Sequence, residues 1–67
     1  MSIGAHGVSW YNRACSYSQL GFTDNAFDAL DKAVNLGYNE RKNYEADTDL
    51  VPLQSDKRWK LLIGKLK

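Results

Sequence analysis

Residues 12–34 read NRACSYSQLGFTDNAFDALDKAV. Small residues recur in this stretch at Ala14, Gly21, Ala26 and Ala33. On its N-terminal side, Trp10, Ala14, Tyr17 and Gly21 follow a spacing of four, three and four, which is one face of a helix. The spacing predicts a first helix over 8–20, closed by Gly21 in a left-handed turn. Phe22 and Thr23 form a very short link. Thr23 is a good N-cap, and Asp24 places negative charge where the helix dipole favours it. A second helix is expected from Asp24 to about Leu36, with Ala26, Leu30, Ala33 and Val34 on one face and Gly37 as its terminator.

A two-residue link makes consecutive helices antiparallel neighbours. The alanines then have a common purpose. With only methyl groups at the contact, the backbones approach to the low end of the ~8–10 Å range for packed helices.

The rest of the chain reads YNERKNYEADTDLVPLQSDKRWKLLIGKLK. Asn39 is expected to cap a short helix running to Tyr44 or Ala46. DTDLVPLQSD holds the only proline and reads as a turn or 3₁₀ segment with Leu50 and Leu53 turned inward. Ser55 is expected to cap a last helix from Asp56 to about Leu66. In it Trp59, Leu62, Ile63 and Leu66 sit at i, i+3, i+4 and i+7. Gly64 lowers helix propensity there by roughly 1 kcal/mol relative to Ala. The expected fold class is all-α: a lead-in over 1–7, a helix pair over 8–37, and a linker turn with a terminal capping helix over 38–67.

Trp10, Ala14, Tyr17, Leu20, Gly21, Ala26, Leu30 and Ala33 resemble a tetratricopeptide repeat, whose pattern sets aromatic, small and glycine positions over ~34 residues. The likeness covers roughly Gly7 to Glu40. The segment DTDLVPLQSDKRWKLLIGKL is similar to one that often follows a final repeat of this kind in bacterial proteins. The resemblance implies that Asp47 and Asp49 begin a turn, that Leu50 and Leu53 anchor it, and that Trp59 and Leu62 dock the end helix. It also implies a concave groove lined by Val8, Tyr11, Cys15, Ser18 and Gln19, able to receive a peptide or a helix. Carboxylate-clamping members of the family use lysine and asparagine in that groove. Here it has no lysine, and Asn12 lies one place away.

One repeat alone cannot bury its apolar faces. The terminal helix is expected to cover one flank, leaving the other for a partner. The function expected is therefore protein–protein interaction, with another protein or peptide or with a second copy of the chain. The alternative is a non-catalytic C-terminal module of a larger bacterial enzyme or signalling protein.

Composition narrows the remaining classes. The chain has 67 residues, 43% hydrophobic and 25% charged, with net charge +1. That is one domain at most, with no overall pull toward nucleic acid or anionic lipid. Lys57, Arg58, Lys60, Lys65 and Lys67 make the end helix basic, but no base-reading motif accompanies them, so nucleic acid is not expected as a partner. No run approaches the ~18 apolar residues of a membrane span. The single cysteine, Cys15, cannot form an internal disulfide, and no signal peptide is visible, so a cytoplasmic location is expected. His6 and Cys15 are the only base and nucleophile of their kinds. His6 falls in the lead-in, so neither catalysis nor a tetrahedral metal site is expected from them, and no cofactor motif is present.

Overall fold

The computed structural model describes residues 5–66, which form an all-α fold with no strand among them. Helix α1 spans Ala5–Leu20, α2 Thr23–Asn35, α3 Arg41–Ala46 and α4 Lys57–Gly64, with a 3₁₀ segment, Thr48–Leu53, between α3 and α4.

Both glycine terminators act as expected. Gly21 has φ 82° and Gly37 φ 101°. After α1, Phe22 N–H donates to Tyr17 O at 2.8 Å and Gly21 N–H to Ser18 O at 3.2 Å. After α2, Tyr38 N–H reaches Ala33 O and Gly37 N–H reaches Val34 O, each at 3.0 Å. These paired bonds satisfy carbonyls that a helix end leaves open, and they require the left-handed conformation glycine adopts without penalty.

The two helices pack through Ala14, Ala26, Leu30 and Ala33, all fully buried. The small-residue contact read from the sequence is therefore present. Its bulky neighbours are arranged differently. The buried line on α1 runs Gly7, Tyr11, Ala14, Ser18. Trp10 and Tyr17 lie on its shoulder, half-buried against the core. Helical periodicity fixes Ala14 at the centre, but aromatic residues stand on both sides of it. Which side closes is decided by segments far along the chain.

Other boundaries shift by one to three residues. Helix α1 begins at Ala5, so residues 5–7 belong to it instead of to a lead-in; residues 1–4 lie outside the described residues. Thr23 is the first residue of α2, and Phe22 precedes it without a side-chain cap. Glu40, not Asn39, precedes α3. Asp56 replaces Ser55 as the cap of α4: its carboxylate accepts from Arg58 N–H at 2.9 Å. A carboxylate satisfies the exposed amides and also complements the helix dipole, an advantage over the serine hydroxyl.

The terminal segments complete the core. Leu50 and Leu53 are buried, as are Trp59, Leu62, Ile63 and Leu66. Asp47 starts the turn by accepting from Asp49 N–H at 3.0 Å. Helix α4 lies along α2, with the Arg58 guanidinium 4.7 Å from the Phe27 ring centroid and bonded to Asp24 at 2.8 Å. Lys65 reaches Asp31 at 2.9 Å. These exposed pairs are screened by solvent and contribute little to stability. Each buried leucine is worth ~1.5–3 kcal/mol, so apolar burial holds the cap and the ion pairs orient it.

Candidate functional site

The groove expected along α1 is not an open surface. The 3₁₀ segment and α3 lie over it. Tyr11 is 6% exposed and Ser18 3% exposed, while Cys15 is half-buried. Val8 and Gln19 remain exposed. The Tyr11 hydroxyl donates to Asp47 Oδ2 at 2.6 Å and lies 3.4 Å from Asn43 O. Gln19 Nε2 donates to Asp49 Oδ1 at 2.7 Å, and Cys15 Sγ to Asp47 Oδ2 at 3.7 Å. Tyr11, Cys15 and Gln19 are thus engaged by the chain's own carboxylates. With Leu50 and Leu53 buried, the covering segment is part of the core and not a lid.

Three tyrosines close the upper end of this face. The Tyr11 ring centroid lies 4.7 Å from Tyr38 and 5.0 Å from Tyr44. The Tyr44 hydroxyl donates to Tyr38 O at 2.6 Å. Burial pushes the Tyr44 phenol well above its ordinary range. Burial, then the hydrogen bond to Asp47, does the same for Tyr11. Both rings stay neutral and act as packing groups with a polar tip.

Cys15 lies with Asp47 and Asp49, their ligand atoms within 4.8 Å of one another. The turn that begins at Asp47 brings both carboxylates to the thiol. Tyr11 and Gln19 already hydrogen-bond them. Burial, followed by the charges of Asp47 and Asp49, pushes the Cys15 thiol up to about 12. A thiol so placed is a poor nucleophile. His6 lies exposed nine residues earlier on the same helix, about 13 Å along its axis at ~1.5 Å per residue, so it cannot serve Cys15 as a base.

What remains open is the opposite flank of the helix pair. Trp10, Arg13, Tyr17 and Leu20 form one stripe of α1. Leu20 is 67% exposed and Phe22 53% exposed. The Tyr17 and Phe22 rings are 6.3 Å apart. Over the Trp10 ring sit two cations: Arg13 Cζ at 4.8 Å from its centroid and Lys32 Nζ at 4.4 Å. Lys32 also pairs with Asp28 at 3.2 Å. The Trp10–Arg13 spacing of three was readable in the sequence. The approach of Lys32 from α2 was not, since it depends on how the helices pair.

No family model matches the chain. No solved structure matches it either. It is 36% identical over 56 residues, 84% of its own length, to a curated chloroplastic protein of the plant Arabidopsis thaliana. The chain spans 17% of that relative's length.

Proposed function

We propose that the chain is a single tetratricopeptide-like repeat with a trailing capping segment, and that it acts as a protein-interaction module through the flank of Trp10, Arg13, Tyr17, Leu20 and Phe22. The observation that carries this reading is the asymmetry of the helix pair. One flank is closed by α4, the α1 face is closed by the 3₁₀ segment, and the remaining flank shows aromatic and aliphatic side chains beside two cations. A helical repeat with an uncovered apolar flank is completed by another packed layer. The same flank serves a peptide, a partner protein or a second copy of the chain.

Exchange of two exposed side chains tests it. The double variant Leu20→Ser with Phe22→Ser is expected to keep native helicity and lose a co-purifying partner or self-association. Gln19→Ala, on the covered face, is expected to retain both. Light scattering across protein concentration separates self-association from hetero-binding. A partner retained by the double variant would remove the flank from consideration.

A second reading is a non-catalytic C-terminal module of a larger bacterial enzyme or signalling protein; the matching stretch is 17% of the plant relative, which supports only the part of that reading that places such a segment within a longer chain. The compartment we propose is the cytoplasm, on the single unpaired thiol. The relative's name places that longer protein in the chloroplast, and imaging of a tagged chain separates the two.

A further inference from the structure

We propose that a second surface, the hollow between α3 and α4, takes an apolar side chain from an acidic segment of a partner protein. The hollow is about 350 Å³ and is lined by Arg41, Trp59, Lys60, Ile63 and Gly64. That is the small end of the ~300–1,000 Å³ range for ligand pockets, enough for one large side chain. Its floor is apolar: Trp59 and Ile63 each keep 9% of their surface open. Its rim carries Arg41 and Lys60. Lys60 makes no ion pair among the described residues. Arg41 holds Glu45 through Nε at 3.3 Å, which leaves its terminal nitrogens for another acceptor.

Gly64 supplies an independent indication. It lies within α4, and its φ is not positive. A Cβ built on it meets nothing within 4 Å. Neither backbone conformation nor internal packing therefore requires glycine, although glycine costs a helix about 1 kcal/mol relative to Ala. What its lack of a side chain does provide is bare helix backbone beside the hollow, where an incoming chain can lie close. An apolar floor with two cations at the rim and free backbone between them fits leucine or phenylalanine flanked by glutamate or aspartate.

A nitrogen-15 NMR titration of the whole chain tests this. The probe is an acetylated, amidated pentapeptide with one leucine among four glutamates. The controls are its lysine counterpart and a single-stranded thymidine oligonucleotide. The acidic peptide is expected to shift the Trp59 indole N–H and the backbone amides of residues 59–64, saturating by the millimolar range. Lys60→Glu should weaken it about fivefold to tenfold, the scale of losing and reversing one exposed ionic contact. Gly64→Leu should abolish it by filling the hollow. Gly64→Ala, which the fold accommodates, should raise thermal stability and weaken binding only partly. No shift with the acidic peptide overturns the proposal. So does an equal response to the lysine peptide, or tighter saturation by the oligonucleotide. Each of these readouts is independent of the Leu20 and Phe22 flank.

Discussion

The Tyr11 hydroxyl and the Asp47 carboxylate stand 36 residues apart in sequence and 2.6 Å apart in space. Their hydrogen bond closes the α1 face that the repeat pattern alone leaves open. The flank that stays exposed is on the far side of the helix pair, around Trp10, Leu20 and Phe22. Cys15 and Gln19 add contacts to the same turn, so the capping segment is joined to α1 by polar bonds above two buried leucines.

Protection of Cys15 follows from that closure. Its thiol is pushed from 9.0 up to about 12. Such a rise lowers the thiolate fraction at pH 8 about a thousandfold. Labelling by a disulfide reagent should be slow in buffer and fast in denaturant, and Asp47→Asn should accelerate it. Native-state labelling as fast as that of the unfolded chain would count against a closed face.

Ser18 carries a cost. Its hydroxyl is buried with no hydrogen-bond partner among the described residues. Leaving such a group unsatisfied costs ~1–3 kcal/mol. Ser18→Ala is expected to stabilise the protein by about 1 kcal/mol in urea unfolding, and destabilisation would show that the hydroxyl is in fact engaged.

Ala14 is fully buried between the two helices. Ala14→Leu should separate them and destabilise the fold by roughly 1–3 kcal/mol through overpacking. An unchanged melting temperature would mean that the helices do not meet there.

The cap of α4 gives an acid response. Asp56 is lowered from 3.8 to about 2, chiefly by its side-chain hydrogen bonds with Arg58 and then by the Arg58 backbone N–H. Its folded value lies below its unfolded one, so its contribution is complete well above pH 3.8 and is lost as pH falls through about 2. Asp56→Asn should therefore be less stable than the parent at neutral pH and converge with it in strong acid. Parallel pH profiles would show that the cap is not formed.

Much of this was readable before folding. The two glycine turns, the alanine contact and the inward leucines at 50 and 53 all follow from local pattern. So does the apolar stripe of α4. The groove was not readable. Tyr11, Cys15 and Ser18 share a helical face in any reading, but whether that face is empty or filled depends on where Asp47 lands, which no local periodicity encodes. For the same reason the meeting of Arg41 with Trp59 and Lys60, contributed by separate helices, left no signal in the spacing of residues.

A double-mutant cycle on Tyr11→Phe and Asp47→Asn measures the closure most directly. A hydrogen bond between these groups, partly buried and charge-assisted, predicts a coupling energy of about 1–3 kcal/mol. Strictly additive effects, with a coupling near zero, would contradict it and return the α1 face to solvent.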